Sequence, residues 1–346
     1  MLRIALLLFF GISAIFVAFS FYVSQPVFDA TRGLFAPTIA DRSDALTFAR
    51  TEDALILVSQ HNGDALKGID LTELYGREVT EDLVDFLETF DDSALPDELT
   101  ERIFALDDLI MPLEYQTPSV AAGTNFIEHA EEIYSDDPPF LFPKLTPPGN
   151  WNESVPFVSR LDFEAEVCLF PLDDIDEKDQ SLPTLGIVLC NDFTDRLTLI
   201  KEIDLGGPLG LTGFAAGKGC ERCLPTGYLV VIPKSADFYR RIEVSLYVND
   251  ALKQRFNMDE MILLPRDMIA TALTSNETRY SKGTQQIALL PQNEIPDSTL
   301  LLTGTGAGVL FKPANIWRQG FYLQVGDTVR TEATFLGHLS NQVVSP

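Results

Sequence analysis

Residues 161–170 read LDFEAEVCLF, and the alternation in this stretch decides the fold class. In an extended strand successive side chains point to opposite faces. Leu161, Phe163, Ala165, Val167 and Leu169 then form an apolar face, while Glu164 and Glu166 stand together on the other. Two carboxylates that close repel each other unless something positive lies between them. A hard divalent cation such as Mg2+, which prefers carboxylate oxygens and keeps several waters, meets that need. The competing reading is an edge strand with a solvated acidic face.

The same texture, short β-rich runs broken by Gly, Pro and Asp, continues at 185–190, 228–232, 244–248, 300–303 and 328–335. It predicts an α+β chain that is predominantly β, with its main domain over residues 111–346. Upstream, residues 45–57 read as two paired strands turning at Thr51-Glu52-Asp53. Residues 78–108 carry twelve acidic side chains and one basic one, Arg102. Leu83, Val84, Leu87 and Phe90 recur at helical spacing behind Thr80 as N-cap, and Leu99, Ile103 and Leu106 repeat the pattern after Pro96. Two amphipathic helices with solvated acidic faces are expected there. Residues 26–110 thus read as a small N-terminal α/β domain, entered through a linker at 26–45, and 173–179 as a charged loop.

Ile4–Val23 is twenty residues without a charge, about 30 Å as a helix and enough to span a bilayer core. Residues 1–25 therefore read as a signal peptide or an uncleaved membrane anchor. Arg3 stands before the stretch, Arg32 and Arg42 after it. A short positive head stays inside, which places the bulk of the chain outside the cytoplasm. Over all 346 residues, 46% hydrophobic and 22% charged composition excludes wholesale disorder, and a net charge of −26 disfavours nucleic acid as a partner. Four cysteines are too few for a disulfide framework in so long a chain, though a single bridge is open.

Four more segments bear on chemistry. The apolar run at 185–190 ends directly in Asn191-Asp192, where Asp192 can serve as a third oxygen ligand or cap a turn. Arg196 follows as a candidate anion-binding group. Residues 123–132, GTNFIEHAEE, space His129 and Glu132 at i, i+3, so a carboxylate can orient an imidazole for general-base work. A surface pair is the plainer alternative. Residues 217–227, GKGCERCLPTG, set Lys218 between glycines on a mobile, exposed backbone from which it can reach an oxyanion. Cys220 and Cys223 lack the βαβ context of a redox motif and the further ligands of a zinc site, leaving incidental thiols or one short local disulfide. Residues 301–311, LLTGTGAGVLF, lack a P-loop ending and Rossmann spacing. They suit a tight turn or close approach of backbone amides to a carboxylate, with Thr305 as the side chain of interest.

Taken in order, HAEE at 129–132, FEAEV at 163–167, NDFTDR at 191–196, GKG at 217–219, TGTGAGV at 303–309 and GDTVRTEATFLGHLSNQV at 326–343 resemble the fumarylacetoacetate hydrolase family over roughly residues 111–346. The resemblance implies a mixed β-sandwich roll and a homodimer. It assigns Glu164, Glu166 and Asp192 to a Mg2+ or Mn2+ ion, and His129 and Glu132 to water activation. Lys218 falls on the oxyanion-stabilising position, and Arg196 and Thr305 on substrate oxygens. The implied reaction is hydrolysis of a carbon–carbon bond in a 1,3-diketo acid or acylpyruvate-type 2-oxo acid through a metal-stabilised enolate. The sequence departs from the pattern at Leu199, where many members have glutamine, at Cys220-Glu221-Arg222, at Gly306, and in an insert-like stretch over 201–213. Decarboxylase, isomerase, hydratase or tautomerase chemistry on 2-oxo acids, a catalytically silent membrane-tethered binding module, and a thiol oxidoreductase on Cys220 and Cys223 are the rival readings.

Overall fold

The computed structural model describes residues 2–24, 38–75, 83–96, 99–176, 178, 183–275 and 277–346. Most of the linker expected at 26–45, the Thr80 cap, Arg32, and parts of the charged loop at 173–179 lie outside the described residues. Fifteen strands form two sheets. They are β1 (Ala45–Arg50), β2 (Leu55–Asn62), β3 (Ala65–Asp70), β4 (Glu101–Ala105), β5 (Gln116–Gly123), β6 (Phe140–Lys144), β7 (Val155–Pro156), β8 (Ala165–Pro171), β9 (Leu185–Asn191), β10 (Thr226–Pro233), β11 (Glu243–Val248), β12 (Ala251–Asn257), β13 (Thr299–Leu302), β14 (Thr328–Ala333) and β15 (Gly337–Val344). The larger sheet runs β4-β3-β2-β1-β10-β9-β8-β13-β5-β6 and the smaller one β12-β11-β14-β15-β7. The β13–β5 and β15–β7 pairs are parallel and the others antiparallel, which makes the architecture a mixed β-sandwich roll.

All seven residues of β8 and all seven of β9 are buried. Both strands lie inside the ten-stranded sheet, and the smaller sheet packs across them. Continuous apolar character on both faces is what such a position requires. The solvated edge strand considered for 161–170 is therefore excluded, and the ladder does not run unbroken through that stretch. Its backbone N–H groups at Glu164 and Ala165 instead donate to the Asn191 and Gln254 side chains, at 3.1 and 3.0 Å.

The sheet also crosses the junction near residue 110. The hairpin β1–β2 turns where expected, and β1 pairs with β10, Phe48 opposite Val230. Leu83–Thr89 is helical, as its spacing indicates. The helix expected from Leu99, Ile103 and Leu106 is instead strand β4 followed by a single 3-10 turn. Phe104 sits opposite Leu66 and is buried, while Ile103 is 77% exposed. Leu99 and Leu106 pack on the core while Ile103 turns to solvent, and pairing with β3 overrides their helical spacing.

Two disulfides are present, Cys168–Cys190 between β8 and β9 and the short Cys220–Cys223 loop, so all four cysteines are paired. The N-terminal helix spans Leu2–Val23, and within it Ile4–Val23 is long and apolar enough to cross a membrane. Its large side chains are mostly exposed. At its end Ser24 Oγ accepts hydrogen bonds from Asn315 Nδ2 at 3.0 Å and Arg318 Nη1 at 3.1 Å, and Phe16 meets Trp317 with ring centroids 6.3 Å apart.

Candidate active site

The register of β8 and β9 sets Glu166 opposite Cys190, so Asp192, just past the end of β9, arrives beside the carboxylates. Asp192 N–H donates to Glu164 O at 2.9 Å, which fixes the two loops together. Ligand oxygens of Glu164, Glu166 and Asp192 all lie within 4.8 Å of one another, and all three residues are buried.

Cations close around this cluster. Lys218 Nζ donates to Glu164 Oε2 at 2.6 Å and Asp192 Oδ2 at 2.7 Å. Arg196 heads a helix (Arg196–Glu202) capped by the Asp195 side chain. Its guanidinium donates to Asp162 Oδ2 at 2.8 Å and Glu164 Oε1 at 2.5 Å. Lys144, at the end of β6, donates to Asp192 Oδ1 at 2.6 Å and to the carbonyls of Cys223 and Phe193. Four buried carboxylates (Asp162, Glu164, Glu166, Asp192) thus face three buried cations (Lys144, Arg196, Lys218), one acid more than there are bases. Burial alone would raise Glu164, but Lys218 and Arg196 outweigh it and hold this acid at about 2. Glu166, which accepts from Gly304 N–H at 2.8 Å, goes the other way: burial, with Asp192 adding to it, pushes it well above the usual carboxylate range. A buried all-oxygen donor set with one acid more than its bases fits a hard divalent cation, whose charge would let Glu166 ionise.

Lys218 is not on a mobile, exposed backbone. It is 3% exposed and ends a short helix, Phe214–Gly217, with its N–H on Phe214 O. The preceding glycine serves close packing: a Cβ on Gly217 would stand 2.4 Å from Leu199 Cβ. Burial opposes the Lys218 charge, yet Asp192 and Glu164 more than restore it and hold the lysine above its ordinary range.

His129 and Glu132 lie on one short helix, Ile127–Glu132, with Nδ1 and Oε2 3.3 Å apart and both side chains buried. Glu132 is itself held: Gly308 N–H donates to its two oxygens at 2.9 and 3.1 Å, and Lys312 Nζ pairs with Oε1. Burial, only partly offset by Glu164, pushes His129 down to about 4, so the imidazole is neutral at neutral pH. Thr305 Oγ1 donates to Ala165 O at 2.7 Å and accepts from Gln254 Nε2 at 2.8 Å. His129, Glu164, Arg196, Lys218 and Thr305 all line one cavity of about 650 Å3.

Sequence reading missed Asp162, Lys144 and Lys312. Asp162 shares the parity of Glu164 and Glu166 along the chain, a usable signal. Its oxygens also accept from Leu310 and Phe311 N–H, tying the strand to the glycine-rich loop. Lys144 and Lys312 each follow an apolar run, and nothing local marks either as a partner for an acid far away in sequence.

A family model described as fumarylacetoacetate (FAA) hydrolase C-terminal matches residues 119–344. Oxaloacetate tautomerase YisK of Bacillus subtilis (strain 168) is 25% identical over 264 residues, 71% of this chain and 77% of that protein. Among solved structures, fumarylacetoacetate hydrolase from psychrophilic Exiguobacterium antarcticum is 19% identical with a TM-score of 0.59, over 87% of this chain and 100% of that one. The 2-hydroxyhepta-2,4-diene-1,7-dioate isomerase from Mycobacterium marinum is 19% identical with a TM-score of 0.56, over 87% and 98%.

Proposed function

This chain belongs to the fumarylacetoacetate hydrolase family, and we propose on that footing that it is a divalent-metal enzyme that hydrolyses a carbon–carbon bond in an acylpyruvate or related 1,3-diketo acid. The supporting observation is the buried three-carboxylate cluster, whose member Glu164 lines one cavity with a neutral, carboxylate-oriented imidazole.

Glu164, Glu166 and Asp192 would hold Mg2+ or Mn2+. When bound, such an ion supplies Lewis-acid stabilisation of negative charge developing on substrate oxygens. Arg196, which has N–H groups beyond those on Asp162 and Glu164, is assigned to the substrate's own oxygens, and so is Thr305, whose single hydroxyl hydrogen must then turn from Ala165 O to the substrate. His129, kept in register by Glu132, takes a proton from a water whose oxygen bonds to the distal carbonyl carbon. An ammonium has three N–H donors; Lys218 spends two on Glu164 and Asp192, and the third is assigned to the oxyanion. The bond from that carbon to the neighbouring methylene then breaks, and its electron pair stays with the 2-oxo acid fragment as an enolate. The proton from His129 passes to the methylene carbon, releasing a carboxylic acid and pyruvate.

A second reading is keto–enol tautomerisation, isomerisation, decarboxylation or hydration of a 2-oxo acid by the same groups. The likeness to an oxaloacetate tautomerase favours it, since His129 can carry a proton between carbon and oxygen without water attack. Product analysis with acetylpyruvate against oxaloacetate separates the two. A silent binding module predicts ion binding with no turnover of any 2-oxo acid under Mg2+ or Mn2+. The apolar N-terminal helix is assigned as a membrane anchor or signal. The two disulfides suit an oxidising compartment outside the cytoplasm, and a homodimer is proposed from the family alone. Replacing Glu164 and Glu166 together by alanine is expected to abolish Mn2+ and Mg2+ binding in calorimetry; undiminished affinity removes the whole reading.

A further inference from the structure

We infer that the substrate is a monocarboxylic 2-oxo acid carrying an apolar tail of several carbons, bound with its oxo-acid head at the acidic cluster and its tail along the wall built by residues 199–209. The inference rests on the proposed oxo-acid chemistry for the head.

Among the described lining residues the cations of the cavity stand at one end only, beside Glu164. Arg196 binds Glu164 at the first residue of its helix. A helix rises about 1.5 Å per residue, so Leu199 stands roughly 4.5 Å and Ile203 roughly 10 Å further along. Both line the cavity, and the loop beyond adds Leu205 and Leu209, so the wall leading away from the carboxylates is apolar. Phe140 and Phe214, in edge contact at 4.9 Å, also line it. At about 650 Å3 the space is within the range that accepts drug-sized ligands, far more than a three- or four-carbon acid fills.

A dicarboxylate suits this wall poorly. Among the described lining residues the only cations are Arg196 and Lys218, both already paired with the head-end acids, whereas Asp136 and Asp137 stand exposed on the lining. A second carboxylate would meet repulsion rather than a partner. Exposed apolar groups also gather at this cavity: Leu205 is 83% exposed and Tyr134 64%, and Ile316 lines the cavity next to Trp317, which packs against the N-terminal helix. Exposure of such groups costs solvation free energy, and a ligand tail lying over them recovers it.

The test uses the full chain in lipid nanodiscs with Mn2+ and measures binding by calorimetry for pyruvate, 2-oxohexanoate, 2-oxooctanoate and 2-oxoadipate, alongside turnover of acetylpyruvate. Affinity is expected to rise about fourfold per methylene buried, with 2-oxohexanoate binding more tightly than 2-oxoadipate of equal length. Leu199→Gln is expected to reduce the 2-oxooctanoate to pyruvate affinity ratio roughly tenfold. Leu205→Ser, at an exposed position where folding is not at stake, is expected to reduce it severalfold. Equal affinity for pyruvate and 2-oxooctanoate, tighter binding of 2-oxoadipate, or a ratio unchanged in both variants overturns the inference. Failure of the chemistry reads differently: acetylpyruvate is not turned over, whatever the affinity series gives.

Discussion

Lys144 is fully buried and does not line the cavity, yet its ammonium ties Asp192 to two backbone carbonyls in the interior. Burial lowers its proton affinity, against the pull of Asp192. Groups that orient a metal ligand from behind typically cost 10–100-fold in ion affinity when removed. Lys144→Met keeps the volume and removes the charge, so Asp192 loses its orientation and two carbonyls lose a donor. Mn2+ affinity is expected to fall by about that factor, with a stability loss of about 3–5 kcal/mol for the broken buried pair, read by calorimetry and by thermal melts. His129 sets the pH dependence. Its folded value near 4 lies below the ordinary 6.5, so the neutral base is fully present at pH 7 and is lost as pH falls through about 4. The acid limb of kcat/KM should therefore centre near pH 4; a limb at 6.5 or above would mean that burial does not govern this imidazole.

The turn at 304–308 works as a unit that no single side chain explains. Gly304 N–H binds Glu166 and Gly308 N–H binds Glu132, so one loop holds both a candidate ion ligand and the imidazole's partner. Gly308 has φ +112°, where only glycine is unstrained, and a Cβ there would stand 2.0 Å from Lys253 O. Gly308→Ala must displace this backbone and draw its N–H off Glu132. A misplacement of the general base by about 1 Å costs on the order of 100-fold in kcat, while Glu164 and Asp192 accept from Lys218 and not from this loop. Lowered kcat with unchanged Mn2+ affinity is the expected pair of results; loss of ion binding as well would show the loop to be a general structural support instead.

Across the whole molecule, strands from residues 45–105 extend the same sheet that carries the acids, and the N-terminal helix docks on the 313–318 segment through Ser24. The full chain is expected to sediment with membranes, and a chain starting at residue 38 to stay in the supernatant and keep its Mn2+ affinity; ultracentrifugation with calorimetry checks both. What the amino-acid order determined unaided was everything with a local period or a fixed spacing. The alternation at 161–170 put Glu164 and Glu166 on one side, the i, i+3 step joined His129 to Glu132, and the uncharged run at 4–23 made a helix. Tertiary structure alone decided which strand pairs with which. That choice turned 101–105 from helix into strand, buried 165–171 on both faces, and paired the four cysteines. It also brought Lys144 and Lys312 to acids 48 and 180 residues away. Short-range geometry is carried by neighbouring dihedrals and can be read along the chain. Charge compensation between distant segments exists only once the sheet has closed, because burial is what makes an unpaired carboxylate too costly to leave alone.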